Sequence, residues 1–366
     1  MAADIDDGEA SRLYAGDVEG ARAMFDAACD ACGLEIRDHL IGDSGDSLRV
    51  ALCGPGDAAC TLVVLSGLHG IEGHCGSAAQ VALVRRLADH DGPVRVILVH
   101  GINPGGIRAF RRTNADNVDL NRNYLSDHAA LADVGPQARA IGRLFSSRAL
   151  SRLPDAAWFA VFVASVIARG GMRQVKETLA GGQYFDPQAV FYGGAALAPE
   201  LQALNAALGP LLAGARPDRT ILFDLHSGIG GYKVPSLLAN GPSLLPMREI
   251  FGMPVSDGHA GDQAVYPARG DVIRGLKTAF GLEGACGVTF ELGTGPAART
   301  LLALRAANSA LVHFPDDARC VARARAQMLR AFCPQDAAWR GTYVREAGTL
   351  IARALHFLTT RADADV

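Results

Sequence analysis

This sequence has no run of like charge. Its 366 residues carry 35 Lys and Arg against 38 Asp and Glu, a formal net charge of −3, with no basic cluster. That balance argues against nucleic acid as the main partner. Long apolar runs are missing as well. The longest, WFAVFVASVIA (158–168), is too short to cross a bilayer as a helix and is expected to form a buried or partner-facing helix. The amino terminus, MAADIDDGEAS, is acidic and lacks an apolar core segment, so no secretory signal is expected. Eight cysteines are too sparse for a disulfide scaffold and are expected to be free thiols. Cys29 and Cys32 form a CxxC, but it sits inside the helical pattern ARAMFDAACDACG with no second pair, where packing is the expected role. These absences point to a soluble chain of a reducing compartment, the cytoplasm, with no membrane partner.

What is present suits a folded chain with a large core. Hydrophobic residues make up 49% and charged residues only 20%, outside the range of disordered chains. An early helix is expected at 18–33 and another, GSAAQVALVRRLAD, at 76–89, its apolar residues spaced for one buried face. Around them lie short β-rich runs: SLRVALCG, CTLVVLSG, VRVILVHGINP, TILFDLHSG and GVTFELGTG. Each ends in glycine or proline and polar residues. Strands alternating with helices predict an α/β fold with a mixed, mostly parallel central sheet. The stretch from about 131 to 215 is helical in character and reads as an insertion packed on that sheet. The tail, about 315–360, predicts two helices broken near Pro334. A single domain over 1–366 is the expected organisation.

In open α/β sheets, ligands bind beyond the carboxyl ends of the strands. Those ends hold His69 and Glu72 in SGLHGIEGHCGS, His226 in FDLHSG, and Glu291 in TFELGTG. Two imidazoles and one carboxylate form the ligand set of open zinc sites, with the fourth position left for water. Glu291 is then a free carboxylate able to take a proton from an activated water. Arg111, Arg112, Asn121 and Arg122 follow the next strand end, at NPGGIRAFRRTNADNVDLNRNY. Guanidinium groups suit a carboxylate ligand or a developing oxyanion.

The motifs HGIE (69–72), NPGGI…RR…VDLNRNY (103–124), LHS (225–227) and TFELGTG (289–295) are similar, in order and context, to those of zinc carboxypeptidases of the M14 type. The wording SGLHGIEGHCGSAAQ, with DLHSGIGGY, resembles most the DUF2817 branch of M14-like predicted peptidases. The resemblance covers roughly residues 10–300. It implies a three-layer sheet flanked by helices and one Zn2+ ion held by His69, Glu72 and His226. It also implies Glu291 as general base and Asn121 with Arg122 as the grip on a substrate carboxylate. Asp119 would fix the tautomer of His69. The carbonyl-polarising arginine is Arg111 when aligned on the WR of typical members, and Arg112 when counted from NP as in the acylase branch. The second alignment is preferred, and both residues stay candidates. Tyr266, in YPARGD, matches the flexible-loop tyrosine of the peptidases by its spacing to a following glycine.

Two departures bear on substrate. The interval from Glu72 to His226 is long, which the helical insertion explains, and a lid-like insertion would select small substrates. The interval from Arg112 to Asp119 is short and resembles the aspartoacylase and succinylglutamate desuccinylase branch. The expectation is therefore a hydrolase of an amide next to a carboxylate, acting on a small peptide. The alternatives are an N-acyl amino-acid deacylase and a non-catalytic carboxylate-binding protein. Alone, His69 and Glu72 read equally as a polar cap; His226 at a second strand end separates the readings. His74 fits neither HExxH nor HxxEH and reads as a neighbour lining the site or as solvated. His100 reads as a structural histidine. No serine lies in a G-x-S-x-G elbow, so a serine hydrolase is not expected.

Overall fold

The computed structural model describes residues 5–88, 90–131, 136–168, 181–256 and 268–363. Its centre is an eight-stranded sheet in the order β1-β2-β4-β3-β5-β8-β6-β7. The strands are β1 (Glu35–Leu40), β2 (Ser47–Cys53), β3 (Cys60–Ser66), β4 (Val94–His100), β5 (Thr220–Gly228), β6 (Pro235–Ala239), β7 (Val255–Ser256) and β8 (Cys286–Gly293). The contiguous set β4-β3-β5-β8 is parallel, and β1, β2 and β6 join by antiparallel pairing. Strands β3, β5 and β8 are buried along their whole length. That is why they read as nearly continuous apolar runs: a parallel strand is covered on both faces.

The strand period of two divides the core cleanly. Leu62, Val64, Phe223 and Phe290 face one layer, built on the helices Val18–Ala31, Gly73–Leu87 and Ala337–Asp363. Val63, Leu65, Leu222 and Val99 face the other, built on Pro199–Leu212 and Val272–Ala279. Because the four central strands run the same way, their carboxyl ends share one edge of the sheet.

Three strands were not legible in the sequence. β1, EIRDHL, is an edge strand with every residue at least partly exposed, so no apolar run marks it. β6 and β7 are five and two residues long. The run at 158–168 lies in the helix Asp155–Ala168, which buries Trp158, Phe162 and Val166, while Val161, Val163 and Ile167 stay exposed. Its buried residues pack with Ile141 and Phe145 and against Leu301 and Leu304 of the helix Ala297–Asn308. Arg305 joins that helix to the segment, with Nη1 2.7 Å from Asp155 Oδ1 and Nη2 donating to the Leu153 carbonyl at 2.7 Å. Among the described residues, no helix is long and apolar enough to cross a membrane.

The carboxyl-terminal helix belongs to the main core. Trp339 and Tyr343 are fully buried, their rings 5.5 Å apart, and Tyr343 lies 5.5 Å from Phe290 on β8. The Trp339 indole N–H donates to the Gly293 carbonyl at 3.1 Å, just past Glu291. Trp339→Ala leaves a large cavity and is expected to cost about 3–5 kcal/mol. Denaturant titration of the variant against the wild-type chain measures it, and a loss below about 1 kcal/mol would show that the helix is only loosely docked.

Candidate metal centre

The first donors stand on the turn after β3. Gly67 takes φ 74, and its carbonyl accepts from the Asn103 amide at 3.0 Å. The chain then runs so close to the Pro104–Arg108 turn that a Cβ on Gly70 would sit 2.1 Å from the Gly106 carbonyl carbon. Only glycine fits. The Ile71 amide donates to the Arg111 carbonyl (2.8 Å) and the Gly70 amide to that of Arg112 (3.2 Å). The donor turn and the arginine turn are thus one laced unit.

His226 comes from the end of β5, in register with Glu291 on β8. Register partners on neighbouring strands share a face, so Glu291 stands beside His226 without belonging to the donor turn. The donor atoms of His69, Glu72 and His226 all lie within 4.8 Å of one another, and all three residues are buried. His69 Nδ1 is 3.0 Å from Glu72 Oε1, and His226 Nδ1 is 3.0 Å from both His69 Nδ1 and Glu72 Oε2. A tetrahedron with zinc-type arms has an edge of about 3.3 Å, so a shift of a few tenths of an ångström admits the ion. Two Nδ1 atoms turned toward each other and toward a carboxylate, away from water, fit a small divalent cation.

Each imidazole is backed by a second carboxylate. His226 Nε2 lies 2.6 Å from Asp224 Oδ2, and His69 Nε2 lies 3.5 Å from Asp119 Oδ1. These contacts point the Nδ1 atoms inward, the arrangement that raises imidazole basicity in metal sites. Asp224 was missed in the sequence, although the signal was there. It stands two residues before His226 on a strand, hence on the same face.

The charges shape one another. Burial alone would lower the pKa of His226, but Asp224 and then Glu72 raise it well above the usual value. Burial opposes ionisation of Glu72, yet His69 and His226 hold its carboxyl below the ordinary range. Asp119 is likewise held down, against burial, by Arg112 and Arg122. Glu291 is the exception: burial, then the charge of Glu72, pushes it up to about 8. Its Oε2 accepts from the Ile229 amide at 3.4 Å.

The arginine pair separates. Arg112 Nε lies 2.7 Å from Asp119 Oδ2 and its Nη1 lies 4.0 Å from Glu72 Oε1. Arg111 is engaged elsewhere, with Nε donating to Thr113 Oγ1 at 2.7 Å and Nη2 to Asn117 Oδ1 at 2.5 Å. Burial lowers its pKa to about 10. Arg122 is buried and donates from Nη1 to the Asn121 carbonyl at 2.7 Å. The Asn121 amide oxygen accepts from Val272, capping the helix Val272–Ala279, so its NH2 is the group it can offer a ligand. Tyr266 lies outside the described residues. His74 is not solvated: it is buried and stacked 4.8 Å from Phe110. His100 meets Ser77 Oγ at 2.9 Å and stacks on Phe25, a packing role.

Residues 14–346 match the model of a family described as "Protein of unknown function (DUF2817)". No curated protein matches the chain. Among solved structures it is similar to a metallo-carboxypeptidase from Burkholderia cenocepacia, at 13% identity and TM-score 0.46, over 93% of this chain and 69% of that one. Bovine thrombin-activatable fibrinolysis inhibitor, in complex with tick carboxypeptidase inhibitor, gives 13% and 0.49 over 97% and 99%. A protein of the succinylglutamate desuccinylase / aspartoacylase family from Shewanella amazonensis gives 21% and 0.35 over 76% and 71%. Likeness of this degree assigns no chemistry, which has to come from the side chains.

If Asp224 and Asp119 orient the imidazoles, Asp224→Asn and Asp119→Asn are each expected to weaken zinc binding by about 10–100-fold. Competition against a chromophoric chelator measures this. Unchanged affinity in both variants would show that the carboxylates do not serve the donors.

Proposed function

For a chain that belongs to the DUF2817 family, we propose a zinc-dependent hydrolase that cleaves an amide bond next to a carboxylate. The observation that carries the reading is the convergence of His69, Glu72 and His226 on one point, with Glu291 beside it and outside the set. When bound there, zinc supplies a Lewis acid that polarises the carbonyl and makes a water acidic. Glu291 accepts that water's proton on its carboxylate. Burial, then the charge of Glu72, raises the pKa of Glu291 above the usual carboxylate range, which suits a group that must both take and return a proton. Arg112 donates to the carbonyl oxygen as it gains negative charge. A C–O bond forms, the C–N bond breaks, and Glu291 delivers the proton to the departing amine. Arg122, with the Asn121 NH2, holds the carboxylate of the substrate. Arg111 has no part in this scheme, because its guanidinium is taken by Thr113 and Asn117.

Small peptides with free carboxyl ends and N-acyl amino acids present the same atoms to this centre. A substrate panel of both kinds separates peptidase from deacylase, and hydrolysis of neither, with a carboxylate still bound, would leave a binding protein.

Glu291→Gln is expected to keep one equivalent of zinc and lose about 10²–10⁴-fold in turnover. Loss of zinc together with activity would make Glu291 a ligand, contrary to the roles given. Wild-type turnover in the variant would remove it from the reaction. Dialysis against a chelator is expected to abolish hydrolysis, and added zinc to restore it; activity that survives full removal of metal would sink the proposal.

A further inference from the structure

Phe191, in the inserted segment, places its ring on two arginines of the site. The guanidinium carbon of Arg112 lies 5.5 Å from the centre of the Phe191 ring and that of Arg122 lies 6.0 Å from it. Both are within reach of the electron-rich face of the ring. Phe191 also holds an unusual backbone, φ 58, the left-handed region that side chains rarely adopt. Glycine would sit there without strain, so the ring, and not the turn, is what the position requires.

That backbone is locked from several sides. The Phe191 carbonyl accepts from Gln183 at 3.0 Å, the Gly193 amide donates back to the Gln183 carbonyl at 2.8 Å, and the Asp119 amide donates to the Tyr192 carbonyl at 2.7 Å. Asn117 Nδ2 donates to the carbonyls of Pro187 (2.9 Å) and Ala189 (3.2 Å). The ring is thereby tied to the same Asp119 that meets Arg112 and His69. Burial, with the like charge of Arg112, lowers the Arg122 pKa, so two cations are kept close together at a dry site. Long arginine side chains lose much rotamer freedom when they are fixed. A planar guanidinium stacked on a ring is fixed before the ligand arrives.

We propose that Phe191 is a positioning residue for the carboxylate site: its ring sets the direction of Arg122 and thereby the affinity for a substrate carboxylate. This rests on the reading that Arg122 faces such a group. It adds that the insertion, and not only the sheet edge, determines how the substrate is held. Phe191 itself takes no proton and touches no reacting atom.

The test uses the full-length zinc-loaded chain, with succinate as probe and succinamide as its uncharged counterpart, by calorimetry. The wild-type chain is expected to prefer succinate. Phe191→Leu, which keeps apolar bulk but loses the aromatic face, is expected to weaken succinate binding about tenfold while zinc content stays unchanged. Phe191→Tyr is expected to restore it to within about twofold. In hydrolysis, Phe191→Leu is expected to raise KM and leave kcat within about twofold, because Asp119 still holds Arg112 at 2.7 Å, a split that general loosening of the fold does not produce. Phe191→Met supplies the same comparison if the leucine chain does not fold. Wild-type affinity in the leucine or methionine chain overturns the proposal, as does failure of tyrosine to restore it or equal binding of succinate and succinamide. If no amide substrate is cut while the binding results hold, the hydrolase reading alone falls.

Discussion

Four carboxylates, Glu72, Asp119, Asp224 and Glu291, are buried around one point, none more than 4% exposed. An unpaired charge in a protein interior is too costly to persist, so each must meet a cation, an imidazole or a proton. Asp119 meets Arg112, and Asp224 meets His226. Glu72 is shared by two imidazoles and the Ser227 amide, which donates to it at 3.0 Å. Glu291 accepts from the Ile229 amide, and burial with the charge of Glu72 raises its pKa. A dication among the three donors would complete the compensation, and it would do so through atoms already turned inward.

The architecture exists to keep those charges in place and dry. Parallel strands deliver His226 and Glu291 side by side with no loop between them, and a rigid ladder sets their spacing. Helices cover both faces, so strands β3, β5 and β8 are buried along their whole length. The carboxyl-terminal helix, far away in sequence, closes the floor through Trp339 and Tyr343 and ties the end of β8 through the Gly293 carbonyl. The roof is different. It comes from the segment around Phe191, whose backbone is stitched to Asp119 through Tyr192 and whose ring rests on two arginines. The two sides therefore have separate origins: the floor belongs to the main core, while the segment opposite packs its own cluster around Phe145, Trp158 and Phe162 and meets the site through the polar network of Asn117 and Asp119.

Much of this was legible in the chain because it follows from local rules. Five strands announced themselves by aliphatic runs ending in glycine, and the donor residues stood at those ends. Asp224 was equally readable from its spacing to His226. The edge strand β1 was not, since a strand exposed along its length has no apolar pattern to show. Nor was the choice between Arg111 and Arg112. Adjacent residues in an irregular turn point in directions that no period predicts: Arg111 meets Thr113 and Asn117, while Arg112 meets Asp119. Phe191 carried no signal at all, because its neighbours in space lie some seventy residues earlier in the chain (Asn117, Arg122).

By itself, then, the order of residues determined the parallel α/β sheet and the places where donors occur, since strand period and glycine turns are properties of short segments. The tertiary structure decided which of these side chains meet, how far burial opposes each charge, and which arginine lies beside Asp119 and Glu72. Those outcomes depend on distance and burial between groups far apart in the chain, and electrostatic energy is set by that separation in space, not by separation along the backbone.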